Sequence, residues 1–360
     1  MYKSHWDRNA IMTDLRMLML VDITGELDLQ QLLEQSEAGN PDAQIHLAHL
    51  YWAGKEVPED KDRAAEWYRR AADQGHSVAQ NNWGVVLAAG SGIPMDKAEA
   101  RRWLQLAMDQ GLPAAEYNLG VLSWEDDRQQ AVQRIRSAAE AGVGFAEYAM
   151  SNLLASGEDL PKDPSEALKW FQRAAAHNCY VAQIDLAQHY EVGVGGVPED
   201  QQEAARLYRM AADQGIAGAQ YLLAKMYEEG RGVLLDEDEA VRLMQASAAQ
   251  GDEQAQFELG IRHTYGKGVE QDYDKAVEYF RGAAENATPL ECLAFGLTRF
   301  NREPSDYIQA HVWFSLASRP GAPPRCIERG LEQIQKLIPK MSPEQQVAAR
   351  AITQAWKRSE

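Results

Sequence analysis

The chain has 360 residues, of which 45% are hydrophobic, so it has enough apolar material for a large core or an extended array. It contains 36 Lys and Arg residues and 54 Asp and Glu residues, which give a net charge of −18. This charge disfavours nucleic acid and anionic membranes as partners, because both attract clustered basic side chains. A basic protein partner fits the charge, as does solubility alone.

Cysteine usage and the N-terminal segment bear on the compartment. Cys179, Cys292 and Cys326 are far apart in the sequence, which fits a reducing compartment without disulfides. Residues 11–23 are fairly apolar, but the longest uninterrupted apolar run in them is Met17 to Val21. That run is too short for a signal peptide or a membrane span, so the sequence predicts a soluble, cytoplasmic protein.

The first predicted element is a cap. Residues 1–39 are predicted to form an N-terminal extension and a capping helix, because residues 28–38 have the pattern of a single amphipathic helix that Gly39 closes. The end of a stacked array must present a polar face to water, which a capping helix provides.

Seven copies of one pattern then fill residues 40–286. Each copy has two landmark alanines, one in each of two predicted helices. The first-helix alanines are Ala43, Ala79, Ala115, Ala146, Ala182, Ala219 and Ala255; the second-helix alanines are Ala64, Ala100, Ala131, Ala167, Ala204, Ala240 and Ala276. Both sets advance in the same steps of 36, 36, 31, 36, 37 and 36 residues. Internal repetition at this period marks an array of helix-turn-helix units.

Within a copy, positions are counted from the first alanine. Position +4 is large and apolar and position +5 is small, so the two share a face on which neighbouring helices approach closely. Glycine at +11 in six of the seven copies is predicted to end the first helix. An aspartate is then predicted to cap the second helix, and in four copies a glutamate three residues later completes a capping-box pattern. These aspartates are Asp60, Asp96, Asp163, Asp200, Asp236 and Asp272.

Position +1 is polar in every copy although it falls within the apolar face. Its residues are Gln44, Gln80, Glu116, Glu147, Gln183, Gln220 and Gln256. Unpaired buried polar groups are costly, so we predict a ladder in which these side chains bond neighbouring backbone groups.

The third copy and the C-terminal part depart from the pattern. Residues 123–130 replace the glycine loop of the third copy, which predicts either a bend in the array or an exposed Trp124. Residues 287–319 are predicted to form a degenerate eighth repeat and residues 320–360 C-terminal capping helices. Ser342 and Gln345 mark a capping box at the start of the last helix.

The repeated unit resembles the Sel-1-like repeat, a relative of the tetratricopeptide repeat. It carries A-x-x-x-L-[AG] in the first helix, then G-x-G-V before an aspartate, then A-x-x-[WLY]-[YF]-x-x-A-A-x-x-G. The resemblance implies an all-α fold, a right-handed α-solenoid of helix-turn-helix repeats with helical caps. It also implies a non-enzymatic adaptor or scaffold that binds its partner on a concave surface lined by first helices. Some extracellular members pair cysteines within each repeat, and this sequence lacks those cysteines.

Three segments carry residue types that are found in binding or metal sites. The glycine-rich loop 192–196 follows a helix rather than a strand and has sister loops in other copies, which favours a structural turn over phosphate binding. His46 and His49 lie within metal-ligand reach of each other, but no third ligand follows, so surface histidines are the favoured interpretation. The acidic run 236–239 favours helix capping over a docking patch for basic residues. We therefore predict no catalytic, cofactor or metal residue.

The predicted functional surface uses positions +3, +6 and +10 of the first helices, together with tyrosines at +2. On a helical wheel +3, +6 and +10 lie opposite the core, and they vary while the rest is periodic. The alternative for the tyrosines is packing between repeats. The predicted partner-binding residues are His46, His49, Asn82, Asn118, Tyr117, Tyr148, Asn152, Asp185, Gln188, Tyr221, Lys225 and Glu258. The predicted function is a scaffold that binds a protein or peptide, and the alternative is an inhibitor or immunity protein for a basic toxin or enzyme.

Overall fold

A computed structural model describes residues 28–54, 56–284, 288–301, 307–319 and 321–358. All regular structure in these ranges is helical, and none of it is strand. The protein is thus an all-α solenoid built from successive helix pairs. Two compact units divide the chain, Met1–Leu186 and Ala187–Glu360, which we call the N-terminal and C-terminal units.

In the N-terminal unit each helix packs against the next one along the chain, from α1 to α9. These helices are α1 (Leu29–Glu37), α2 (Pro41–Ala53), α3 (Lys61–Asp73), α4 (Ser77–Ala89), α5 (Lys97–Asp109), α6 (Pro113–Leu122), α7 (Arg128–Glu140), α8 (Gly144–Ser156) and α9 (Pro164–Ala176). Helix α10 (Tyr180–Val192) follows and contains the boundary between the units.

The C-terminal unit continues the pattern and ends on a helix that folds back. Its helices are α11 (Gln201–Asp213), α12 (Ala217–Glu229), α13 (Glu237–Ala248), α14 (Glu253–Tyr265), α15 (Tyr273–Ala283), α16 (Pro289–Phe300), α17 (Tyr307–Ala317), α18 (Pro324–Leu337) and α19 (Pro343–Arg358). A 3₁₀ turn at Ile338–Lys340 joins the last two. Helix α19 packs against both α15 and α17 and so covers the end of the array.

The predicted aspartate caps are confirmed. In all six cases the carboxylate accepts a hydrogen bond from a backbone N–H in the first turn of the second helix; Asp200, for example, accepts from Gln202 and Glu203, each at 3.0 Å. Asp127 caps α7 in the same way. The sequence pattern does not predict this cap, because its repeat lacks the glycine loop that normally precedes the aspartate.

The capping boxes are only half formed in the repeats. The glutamate side chains pair with a cation three residues further along the helix, as Glu203 does with Arg206 at 2.6 Å. At α19 the box is complete, because the Ser342 N–H donates to Gln345 Oε1 at 2.9 Å and the Gln345 N–H donates to Ser342 Oγ at 3.2 Å.

The predicted polar ladder is confirmed for Gln44, Gln183, Gln220 and Gln256, whose amides each donate to a backbone carbonyl near the end of the preceding helix. Glu116 and Glu147 bond side chains instead, because Glu116 accepts from the Ser137 hydroxyl and Glu147 pairs with Arg173 and His177. The amide of Gln44 donates to the Ser36 carbonyl at the end of α1 at 2.9 Å, and its oxygen accepts from Gln74 at the end of α3 at 2.8 Å. Gln183, also fully buried, donates to the Ala175 carbonyl at 2.9 Å. Paired in this way, the buried amides satisfy backbone carbonyls that helix ends leave open.

Small residues at +5 form the tight seam within each helix pair. A Cβ on Gly120 would lie 3.1 Å from Ile135, and one on Gly260 would lie 2.4 Å from the Phe280 ring. Close packing of this kind leaves no room for a larger side chain.

The second glycine of the loop makes a separate close approach, to the start of the previous repeat's second helix. A Cβ on Gly232 would lie 1.9 Å from the backbone oxygen of Gln201, the first residue of α11. Gly92 stands in the same relation to Lys61. The glycine-rich loops therefore serve repeat packing, which agrees with the structural interpretation of the sequence.

Trp124 is buried, with 3% of its surface exposed, so the alternative of an exposed tryptophan is wrong. Helix α6 ends after Leu122 without a glycine, and the Ser123 hydroxyl donates to the Leu119 carbonyl at 2.6 Å. The short turn that follows places the indole in the core of the N-terminal unit.

Candidate protein-binding surface

Residues at +2 and +3 of consecutive first helices bond to each other in the N-terminal unit. The Asn118 amide donates to Asn81 Oδ1 at 2.7 Å, and the Tyr148 hydroxyl donates to Asp185 Oδ2 at 2.5 Å. Each pair is separated by 37 residues, one repeat plus one position. These contacts therefore hold adjacent repeats in register.

Four predicted partner-binding residues of this unit lie in the seam and not on the surface. They share nearly complete burial and are Asn82, Asn118, Tyr117 and Tyr148. Burial raises the pKa of both tyrosines, and the carboxylate of Asp185 adds to the effect at Tyr148. The expectation that +3 points away from the core is wrong there, because a first helix packs against neighbours on both sides and buries more than one stripe of its circumference.

His46, His49 and Asn152 are half-buried rather than exposed. The His49 ring lies edge-on to Tyr68, with centroids 5.4 Å apart, and its Nδ1 bonds the Ile45 carbonyl at 2.8 Å. Burial lowers the pKa of His49 to about 4, so the ring is neutral near pH 7. Asn152 donates to the Tyr148 carbonyl at 3.0 Å. The interpretation of His46 and His49 as exposed surface histidines is wrong.

The other predicted residues lie at the surface to different degrees. Asp185 is half-buried beside Tyr148, and Gln188 is exposed. In the C-terminal unit Tyr221, Lys225 and Glu258 are half-buried and lie close together on α12 and α14. The structure thus brings two sets of three predicted residues together: Tyr148, Asn152 and Asp185 in the N-terminal unit, and Tyr221, Lys225 and Glu258 in the C-terminal unit. Partner binding by any of the twelve residues stays a prediction.

A balanced charged cluster surrounds the set in the C-terminal unit. Glu228 accepts from Lys225, from Lys267 at 2.6 Å, and pairs with Arg262 Nη2 at 2.8 Å. Arg262 also lies 3.4 Å from Glu237 and 4.0 Å from Glu258. Three cations thus face three carboxylates, and the guanidinium of Arg262 is fully buried among them.

The electrostatics of the cluster follow from this geometry. Burial alone would raise the pKa of Glu228, but hydrogen bonds from Lys225 and Lys267 outweigh it and lower the pKa to about 2. For Tyr221, burial raises the pKa, and the nearby charge of Glu258 raises it further. Glu228 is therefore ionised at neutral pH and holds its ion pairs with Lys225, Lys267 and Arg262.

An aromatic patch begins on α14, at the residue before Glu258. Phe257 stacks on Trp313 with ring centroids 4.9 Å apart, and Phe295 lies 5.0 Å from the same indole. We call Phe257, Phe295 and Trp313 the aromatic patch. Phe295 is 47% exposed, and Leu297 beside it is 40% exposed.

Phe295 occupies a position that is core in other repeats. Gly296 faces Phe314 as Gly260 faces Phe280, so Phe295 corresponds to Leu259, which is fully buried. The repeat pattern weakens after residue 287, and for that reason the sequence does not predict Phe295 as a binding residue. The spacing of 36 residues between Gly260 and Gly296 is the signal that locates it.

The part of the chain that the structure describes contains no group of three His, Cys, Asp or Glu residues arranged to hold a metal ion. All three cysteines are buried, and none of them forms a disulfide. None of the described helices combines the length and the apolar character that spanning a bilayer requires.

The repeat geometry agrees with a match to a known family model, the Sel1 repeat. The model matches residues 41–76, 77–112, 144–179, 181–216, 217–252, 253–287 and 291–319, about two-thirds of the chain. The chain belongs to the Sel1 repeat family. The matches include six of the seven predicted copies and the predicted degenerate eighth, while the shortened third copy is unmatched. The proposed division into domains stays a prediction.

Individual relatives are distant. A secretory immunoglobulin A-binding protein of Escherichia coli, EsiB, is 34% identical over 62 residues, which is 17% of this chain and 13% of that protein. A Sel1 repeat protein from Oxalobacter formigenes has a solved structure that is 24% identical, covers 92% of this chain and 95% of its own, and has a TM-score of 0.50. An immunity protein from Pseudomonas aeruginosa is 20% identical over 64% of this chain and 84% of its own, with a TM-score of 0.41. The Oxalobacter likeness shows the fold.

Proposed function

We propose that the protein is a non-enzymatic scaffold that binds another protein, and that the aromatic patch with its neighbouring charged cluster forms part of the contact surface. Membership in a repeat family whose members serve as adaptors supports the general role. The observation that carries the specific proposal is the exposure of Phe295, a side chain at a position that is buried in other copies.

The aromatic patch has the composition of an interface core. Aromatic side chains are enriched where partners meet, and clustered exposed apolar groups mark interaction sites. Trp313 is already held between Phe257 and Phe295 at centroid distances near 5 Å, so docking does not have to order these rings. A preordered anchor loses less conformational entropy on binding, which favours its use as a hot spot.

The charged cluster would act as a polar rim. Its ion pairs are formed before a partner arrives, and only the outer ends, such as Lys267 and Glu237, are well exposed. Rim charges contribute to orientation and specificity more than to affinity. The cluster is balanced, so it gives no local preference for a basic partner, and at this surface the net charge of −18 remains the only support for that preference.

The test is capture from native lysate with wild type, Phe295→Asp and a matched control, Val347→Asp. Val347 is 60% exposed and lies on α19, outside the aromatic patch. We expect the same prey with wild type and with Val347→Asp, and its loss with Phe295→Asp. With purified prey, losing a hot spot should weaken binding about 30-fold or more. Circular dichroism checks that both variants remain folded. Prey retained by Phe295→Asp at unchanged affinity would exclude the aromatic patch as the binding surface.

Two parts of the sequence-based hypothesis stay predictions. One is a concave groove lined by all first helices. The other is an inhibitor or immunity role against a basic protein. Affinity for a purified partner that does not change with salt would count against attraction by charge.

A further inference from the structure

Two adjacent loops of the C-terminal unit, at the ends of α10 and α12, expose aliphatic side chains. We call these side chains the loop surface; they are Val192, Val194, Leu234 and Leu235, of which Leu234 is 89% exposed and Leu235 is 68% exposed. The loops lie against each other, because Arg231 Nη1 in the second loop donates to Glu191 Oε1, beside Val192, at 2.5 Å. The loop surface therefore spans two neighbouring repeats.

The repeat itself does not require Leu234 and Leu235. In the other five copies that carry this loop, the two residues before the capping aspartate are Pro-Glu, Pro-Met, Pro-Lys, Pro-Glu and Glu-Gln. The aspartate cap forms in all of these copies, so the turn does not depend on leucine at either position. Clustered aliphatic side chains that are exposed without a structural role mark an interaction site.

Carboxylates surround the loop surface. Residues 190–203 and 229–242 contain nine Asp and Glu residues but two Arg residues, and both arginines already pair with carboxylates of these segments. Glu199 and Asp238 are exposed and form no ion pair with a described residue. The cap of α13 uses the carboxylate of Asp236, which leaves Asp238 available to a partner. The local charge therefore attracts Lys and Arg side chains and disfavours an anionic membrane.

A helix suits this surface better than an extended segment. The described residues contain no strand edge to which a partner could add a strand. A helix pairs its own backbone groups, and an amphipathic one presents aliphatic side chains with basic ones at their edge.

We propose that the loop surface docks a basic amphipathic helix of a partner protein. The aliphatic stripe of that helix covers Leu234 and Leu235, and its Lys or Arg side chains pair with Asp238 and Glu199. The loop surface shares no residue with the aromatic patch, so each proposal can fail without the other.

The test uses a fluorescein-labelled peptide of leucine and lysine, LKKLLKLLKKLLKL, as the probe and fluorescence anisotropy with the full chain as the measurement. One control peptide has Glu in place of every Lys, and the other has Gln in place of every Leu. We expect both controls to bind at least about tenfold more weakly than the probe, because each lacks one half of the complementarity. Binding of the probe should also weaken as the salt concentration rises.

The variants locate the contact. Leu234→Ser/Leu235→Ser should weaken binding of the probe about tenfold or more, because two apolar contacts are lost. Met95→Ser is the matched control, since Met95 is exposed and immediately precedes a capping aspartate in the second copy, as Leu235 does in the sixth. Glu199→Gln/Asp238→Asn should weaken binding about fivefold and reduce its salt dependence. All of these side chains are exposed, and circular dichroism checks that each variant is folded.

Three outcomes would overturn the proposal. The first is equal affinity of the probe for wild type and for Leu234→Ser/Leu235→Ser, and the second is equal weakening by Met95→Ser. The third is co-flotation of wild type, but not of Leu234→Ser/Leu235→Ser, with phosphatidylcholine vesicles, which would assign the leucines to a lipid surface.

Discussion

Gly232→Ala tests the close approach between repeats. Gly232 has φ +66° and lies in the loop after α12, where an added Cβ would come within 1.9 Å of the Gln201 backbone oxygen. Two costs follow. A left-handed conformation costs a non-glycine residue about 1–2 kcal/mol, and overpacking against an atom that cannot swing aside costs about 1–3 kcal/mol. The free energy of unfolding should fall by about 2–5 kcal/mol.

Gly230→Ala is the matched control because it separates the two costs. Gly230 has φ +65° in the same loop, but its added Cβ would meet Leu235 at 3.5 Å, an ordinary contact. Only the conformational cost of about 1–2 kcal/mol applies to it. The difference between the two variants, about 1–3 kcal/mol, measures the contact between repeats.

Urea denaturation followed by circular dichroism gives both values, provided the slope of the transition is the same in all three proteins. Unequal slopes would mean that the array no longer unfolds as one unit, which repeat proteins permit. Equal losses of stability at Gly230 and Gly232 would refute the reasoning, because they would show that the loop does not need glycine to pass α11.

Three further predictions concern single contacts. Glu228→Gln should reduce the loss of folding stability that acid causes. The folded pKa of Glu228 is about 2 and the unfolded value is near 4.3, so the carboxylate stabilises the fold above about pH 4.5. This contribution, about 1–2 kcal/mol after solvent screening, is lost as pH falls toward 2. Urea titrations at pH 7 and pH 3 measure this, and an unchanged pH dependence would contradict it. Asp200→Ala should cost about 1 kcal/mol through loss of the α11 cap, while Asp200→Asn should retain most of it; equal losses would show that the cap bonds do not matter. Tyr148→Phe should cost about 1–2 kcal/mol, because Asp185 loses a 2.5 Å bond; a thermal midpoint equal to wild type would count against a role in repeat register.

Local sequence decided most of the fold. The spacing of alanines places both helices of each copy, and the aspartates and glycines place their ends, because caps and left-handed turns depend on residues within one turn of the boundary. The polar ladder was also predictable, since a polar side chain on a buried face must find a partner nearby.

The tertiary structure decided which residues remain available to a partner. Whether Asn118 or Tyr148 is exposed depends on the neighbouring repeat, which covers them, and a helical wheel of one repeat does not contain that neighbour. The same reason explains Phe295, whose position predicts burial and whose place near the end of the array leaves it 47% exposed. The loop surface likewise joins side chains from two neighbouring repeats, which the pattern of one repeat does not bring together. Periodicity thus specifies each unit, whereas accessibility is a property of the packed stack.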